Sequence, residues 1–297
     1  MEQTARSTTV LRWMGMALIV LMALIILIPY YWMVLGAFKT VPELNRIPPT
    51  FIIEAPTLNS FYDPLGELPP DHTRGLFQIY PGTEGGFFRY VFNSMFVSGA
   101  ITVCALFIAA LAAYVLAKHH FPGRNFFFLL FIASMMIPWQ VTIIPNFLNV
   151  SRYIGLDTYG ALIIPALPKA FALFFLRQYM LSMPDEMIEA ARLDGAGEFR
   201  IFLRMILPLV GPALVSMGLF IWLNEWNNLV WPLVTMRSEE MRTLPLIMTT
   251  MNDPFAAATK QGVAMASALL TSIPTVILFI LFQKQFVQGI AVVSVKG

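Results

Sequence analysis

The chain has 297 residues, of which 58% are hydrophobic and 12% charged. With a mean hydropathy of +0.70 it is too apolar for a soluble domain, where charged residues run at about 25%, so the class is a polytopic membrane protein. A net charge of +2 leaves no basic stripe for nucleic acid. One cysteine, Cys104, excludes an internal disulfide and a cysteine-based metal cluster.

A helix needs about 20 mainly apolar residues to cross the hydrocarbon. Six segments qualify: Met14–Leu35, Tyr90–Ala117, Phe126–Val150, Tyr159–Tyr179, Leu209–Val234 and Gly262–Phe286. The first follows Arg6 and Arg12 and is too long for a signal-peptide core of about 7–15 residues, so it reads as an uncleaved span. Cys104, inside the second, reads as a small buried hydrophobe. Ser151–Thr158 serves as a short turn between the third and fourth. Proline recurs in the spans, at Pro29, Pro138, Pro145, Pro165, Pro168, Pro212, Pro232 and Pro274. Packing kinks are the expected reading for most of them. The alternative is a set of broken helices around a translocation path.

The layout is an N-terminus at 1–13, a transmembrane region at 14–286 and a tail at 287–297. The connecting loops fall at 36–89, 181–208 and 236–261. The basic loop Lys118–Asn125 marks the cytoplasmic side, and Arg6, Arg12, Lys284 and Lys296 agree with it. Both termini and loop 181–208 are then expected inside. Loop 36–89 is more acidic than basic and is expected outside, together with 236–261. Its Pro and Gly content predicts an irregular, partly packed loop and not a second domain.

Two charges fall within predicted spans, Lys169 and Glu225. An intramembrane charge is costly and usually faces a bundle interior or cavity. Glu225 lies among Asn224, Trp226, Asn227 and Asn228. Aromatic faces beside amides and a carboxylate suit sugar rings and their hydroxyls. An interfacial aromatic belt is the competing reading. Lys169 has three readings: snorkelling, pairing with Glu225, or lining the path. His119 and His120 read as a solvated turn, without metal-ligand spacing nearby. The chain carries no phosphate-binding glycine loop and no nucleophile–base arrangement.

Residues Pro184–Pro208 are charged and helix-forming. Ser182 with Asp185 has the spacing of a capping box. Met187, Ala190, Ala191 and Asp194 share one helical face, which two alanines leave flat for another surface to approach. Gly195 and Gly197 break the helix, and Glu198–Leu207 is expected to form a second one. Glu189 and Arg192 have the spacing of a surface ion pair. Asp194 either opposes the dipole at a helix C-terminus or caps the following helix. Docking and simple capping of the bundle are both open on these grounds.

Glu189-Ala190-Ala191, then Asp194-Gly195, then Ile206-Leu207-Pro208, resembles the EAA loop of ABC-importer permeases. Asn93-Ser94, Ala112-Ala113-Tyr114, Phe121-Pro122-Gly123-Arg124, Leu176-Arg177-Gln178 and Trp226-Asn227 with Trp231-Pro232-Leu233 resemble the maltose-type sugar importers, in their MalG-like subunit. The resemblance implies an all-α membrane protein with six transmembrane helices of the type I ABC importer permease fold. A cytoplasmic coupling helix would lie between helices 4 and 5. It implies ATPase-subunit coupling through Glu189, Ala190, Ala191, Asp194, Gly195, Leu207 and Pro208. The implied partners are a second permease subunit, two ATP-binding subunits, an extracytoplasmic solute-binding protein and membrane lipid, with no nucleic acid. The place is a bacterial inner membrane. The chain itself would be no enzyme and hold no cofactor or metal, ATP and Mg belonging to the partners. The cargo would be an oligosaccharide, a disaccharide, or a related polyol or glycerol phosphate compound. Asn228 departs from the acidic residue usual there. The alternative is a secondary transporter or channel that uses Lys169 and Glu225.

Overall fold

The computed structural model describes residues 2–62, 76–78, 86–251 and 257–294, with side chains over 12–62, 76–77, 86–249 and 261–285. Much of the loop predicted at 36–89, part of that at 236–261 and the end of the tail lie outside the described residues. The described chain is helical, without a strand. It divides into two compact units, Met1–Gly82 with Met248–Ser272, and Thr83–Ile247 with Ile273–Gly297.

In the first unit, helix α1 (Glu2–Ala37) supplies the candidate span Arg12–Ala37, whose most apolar window is only 6% buried inside the molecule. Such a surface needs lipid or another chain around it. Beyond α1 the backbone turns around a buried pair. Lys39, 2% exposed, donates to the Thr50 carbonyl and hydroxyl and lies 3.5 Å from Glu43 Oε1. Burial alone would raise the Glu43 carboxyl, but the N–H groups of Glu54 and Ala55 and the Thr50 hydroxyl hold it below the usual range. Gly36 lets the Met265 thioether lie against the backbone, and a Cβ there would displace that side chain. The described part of loop 36–89 is thus irregular and packed, as its composition predicts.

The second unit is built around α2 (Gly86–Lys118). Its buried stripe, Ile101, Ala105, Ala109 and Ala113, follows the four-residue helical spacing and is nearly all alanine. Small side chains let α6 (Ala170–Leu181) and α9 (Gly211–Trp226) pack closely against it. Cys104 falls off that stripe and is exposed. The expectation of a buried thiol fails because the helix turns that residue away from its neighbours.

The middle spans are broken. Helix α3 (Arg124–Ser134) meets α4 (Trp139–Tyr153) at 98°, and the segment from Tyr159 to Ala166 meets α6 at 45°. Pro138 stands at the first break, and Pro165 and Pro168 at the second. Proline lacks the donor that would carry the helix through. Here the kinks are sharper than packing bends. The Ser151–Thr158 turn is present, with Gly155 and Asp157 at positive φ before α5 (Tyr159–Ile163). Helix α7 (Glu186–Leu193) and α8 (Glu198–Ile201) form the hairpin expected at 181–208. After α9 come α10 (Val230–Thr235), α11 (Leu244–Met251) and α12 (Ala257–Ser294). Among the described residues, three helices are long and apolar enough to cross a membrane, and up to six spans result if each bent pair counts as one.

Candidate functional site

The hairpin owes its shape to one turn. Asp194 is the C-cap of α7, and Gly195 follows at φ +79°. Ala196 N–H donates to the Ala191 carbonyl and Gly195 N–H to Arg192, both at 3.0 Å. This is a Schellman motif, in which a left-handed residue, best a glycine, closes the helix. Ala191 and Ala196 both pack on the core next to it. Gly197 then takes the N-cap of α8, so Asp194 does not cap the second helix. The carboxylates of Asp194 and Glu189 make no hydrogen bond among the described residues, and both are exposed.

The capping box does not form. The Asp185 carboxylate makes no cap bond and takes Lys118 instead, at 2.5 Å, while Ser182 donates to Tyr179. A lysine 3% exposed holds that carboxylate more strongly than an orphan amide would. Arg192 likewise pairs with Glu198 at 2.6 Å and not with Glu189. Ile188 is the buried residue of α7; Met187, Leu193 and Phe199 are exposed, Leu193 at 89%. Met187, Ala190 and Asp194 share an open face, as predicted, and Ala191 is half-buried beside them.

Beyond α8 the helix widens into a π turn, Phe202–Ile206, before Leu207 and Pro208. Pro208 has no N–H to return to Arg204, and its ring would crowd that carbonyl in an α-helix. The wider turn accommodates it and puts Ile201, Phe202 and Ile206 on the buried side.

Glu198 is the meeting point of two chain segments. It accepts from Arg192 (2.6 Å) and Tyr114 (2.8 Å), with His119 Nε2 at 3.3 Å. His119 is therefore no mere solvated turn. It also packs edge-on to Tyr114. Lys118 donates to the Met183 carbonyl at 2.6 Å as well as to Asp185. Arg177 donates to the Leu116 carbonyl at 3.1 Å and lies over Phe128. The Arg192 bond holds the Glu198 carboxyl below its ordinary range, with help from Tyr114, and the Lys118 bond does the same for Asp185. Sequence reasoning missed Tyr114, Lys118, Arg192 and Glu198 as a set, because Tyr114 and Lys118 lie 84 and 67 residues from their partners and the Arg192–Glu198 pair depends on the turn between them.

The predicted path residues also come together. Lys169 Nζ lies 2.6 Å from Glu225 Oε1, with side chains 26% and 7% exposed. Both line an open pocket of about 680 Å³ with Asn224, Asn227 and Asn228. Trp139, Thr142 and Asn146 face the same space from α4, beside Pro165 and Pro168 of the break. These three were not singled out from the sequence, although Asn146 is a polar residue in an apolar run. Trp226 lies elsewhere: it is 1% exposed, stacked on Trp222, and does not line the pocket. Trp231 Nε1 ties the pocket wall to the Ala161 carbonyl at 2.9 Å.

At the opposite end of α2, Asn93 donates to the Glu240 and Arg242 carbonyls at 2.8 and 2.9 Å, and Ser94 accepts Leu244 N–H at 2.8 Å. The Asn-Ser pair of the sequence thus anchors the segment before α11.

Helices throughout the described residues, broken spans, a polar pocket beside the breaks and an exposed, anchored hairpin point to a membrane transport subunit. Residues 85–292 match the binding-protein-dependent transport system inner membrane component, and the chain belongs to that family. It is 37% identical to the arabinooligosaccharides transport system permease protein AraQ of Halalkalibacterium halodurans, over 98% of this chain and 99% of that one. It is 35% identical to the sn-glycerol-3-phosphate transport system permease protein UgpE of Yersinia enterocolitica, over 67% and 71% of the two chains. In fold it matches a chain of a bacterial ABC transporter involved in the import of the acidic polysaccharide alginate. The TM-score is 0.78 and the identity 24%, over 95% of this chain and 98% of that chain. The fold is that of a type I ABC importer permease.

Proposed function

We propose that this chain is one of two permease subunits of an ATP-driven importer in a bacterial inner membrane, and that it carries a carbohydrate delivered by an extracytoplasmic binding protein. The reading rests above all on the hairpin. It presents apolar side chains such as Leu193 to solvent, yet is fixed to the end of α2 through Lys118, Tyr114 and His119. A surface that is both exposed and rigidly mounted suits a partner that pushes on it.

In this mechanism two partner ATPase subunits bind ATP and Mg, and this chain binds neither. One ATPase receives α7, with Glu189, Ala190, Ala191, Asp194 and Gly195 at the contact and Leu207 and Pro208 setting the exit of the hairpin. Closure of the ATPases moves the hairpin, and the permease pair alternates its access. Both termini and the hairpin lie on the cytoplasmic side, in keeping with the basic loop Lys118–Asn125. The pocket at Lys169, Asn224, Glu225 and Asn227 lies on the sugar path. Ion coupling through Lys169 and Glu225 is disfavoured, since each neutralises the other.

The test is ATP-dependent uptake of a labelled arabinose oligosaccharide into vesicles containing the complete transporter and its binding protein. Uptake that proceeds without hydrolysable ATP, driven instead by an ion gradient, would overturn the reading.

A further inference from the structure

The carbohydrate reading leaves open whether the cargo is neutral or anionic, and the named relatives include systems for both kinds of solute. We infer that the pocket beside the Lys169–Glu225 pair selects neutral polyhydroxyl solutes and rejects carboxylated or phosphorylated ones. This rests on the proposal above that the pocket lies on the sugar path.

Three observations carry it. The ionised residues lining the pocket are Lys169 and Glu225, opposite in sign and 2.6 Å apart, so no net charge faces the cargo. Glu225 is 7% exposed. An anion that drew Lys169 away would leave a buried carboxylate unpaired, the costly outcome for any ion pair.

The amides point the same way. Asn224 Nδ2 donates to the Phe220 carbonyl and Asn227 Nδ2 to the Leu223 carbonyl, each at 2.8 Å. A carbonyl accepts only from a donor, so these bonds fix which amide atom faces where. Each Nδ2 keeps a second N–H, so Asn224 and Asn227 leave the pocket an uncharged Oδ1 acceptor beside one donor. Asn228 donates to Glu225 Oε2 at 3.2 Å and accepts Trp231 N–H.

Uncharged acceptor–donor pairs match a sugar hydroxyl, which both donates and accepts, and supply no positive charge to offset a carboxylate or phosphate. Trp139 and Phe220 add apolar faces on which a sugar ring can lie. The pocket thus supplies acceptors and flat surfaces, and it lacks the uncommitted cations an anion needs.

The experiment uses the complete transporter in vesicles, with a neutral arabinose trisaccharide and the same trisaccharide oxidised to a terminal carboxylate, chosen so that the purified binding protein binds both. The readout is the ratio of the two uptake rates. Comparing permease variants with one binding protein cancels that protein's own preference. The wild type is expected to favour the neutral form. Glu225→Gln leaves Lys169 uncompensated and is expected to move the ratio towards the acid by about tenfold or more, since specificity is a difference of affinities. The double variant Lys169→Met/Glu225→Gln removes both charges and is expected to return the ratio to the wild-type value. Equal uptake of the two forms by the wild type, or a ratio that does not change in Glu225→Gln, would overturn the inference alone. Uptake of neither form, with an ATPase still stimulated by some other loaded solute, would overturn the carbohydrate reading and this inference with it.

Discussion

The Tyr114 hydroxyl donates to Glu198 Oε2 at 2.8 Å, joining the end of α2 to the second helix of the hairpin across 84 residues of sequence. Tyr114 is 2% exposed, so Tyr114→Phe removes the hydrogen bond while keeping the packed ring. The expected result is a transporter that assembles and hydrolyses ATP but moves less sugar per ATP, by about fivefold, the lower range of intersite coupling. Glu198→Gln, which also weakens the Arg192 pair, is expected to lose more. The ratio of transport to ATP hydrolysis, measured in one vesicle preparation, checks both.

The acid response of the hairpin has a fixed sign. Lys118 depresses the Asp185 carboxyl, and Arg192 depresses that of Glu198. A carboxyl held low in the folded state contributes stability above its unfolded value and loses it as pH falls through the folded one. The contribution of these two carboxyls is therefore expected to be complete at neutrality and to be lost only below the ordinary carboxylate range. Hydrogen exchange of α7 and α8 amides against pH reads this directly. Loosening as pH rises from neutrality to mildly alkaline values would contradict it.

At Gly195 the expected damage is conformational. A Cβ there meets nothing within 4 Å, but φ is +79°. Holding an L-residue in that region costs about 1–2 kcal/mol. Gly195→Val is expected to break the turn and uncouple ATP hydrolysis from uptake while the bundle stays folded. Glu189→Lys, on an exposed carboxylate without a bond among the described residues, is expected to uncouple through surface charge alone. Wild-type sugar uptake by both variants would show that α7 is not the ATPase contact.

In the pocket, Asn227→Ala removes an acceptor and is expected to slow uptake several-fold, in line with loss of a single hydrogen bond. Glu225→Ala is expected to do more, since it also strands Lys169. Neither variant is expected to impair assembly. Unchanged uptake kinetics in both would move these residues from the sugar path to a structural role.

Much of this was legible in the sequence because it is local. Apolar length gave the spans, and the Glu-Ala-Ala spacing with its glycines gave the hairpin and its flat face. The structure adds why the second alanine and the glycine stand four residues apart. They belong to one Schellman turn, in which the Ala191 carbonyl accepts from Ala196 N–H and Gly195 takes the left-handed position inside that bond. Long-range partners were not legible. Asp185 had a plausible neighbour in Ser182 but pairs with Lys118, 67 residues away, while Arg192 passes over Glu189 for Glu198, six residues on across the turn, which only the fold of the hairpin selects. Trp226 reads like its polar neighbours but is turned into the core, because a 100° step between residues separates it from Glu225 and Asn227.

Helix α2 contains no proline over its 33 residues, whereas the segments around it are bent or carry one. Asn93 near one end holds the chain before α11, and Lys118 at the other holds the hairpin. At 1.5 Å per residue these two grips are about 37 Å apart. An unkinked rod gripped at both ends is built as a strut, and displacement of the hairpin is expected to reach the segment at Glu240–Leu244 through it.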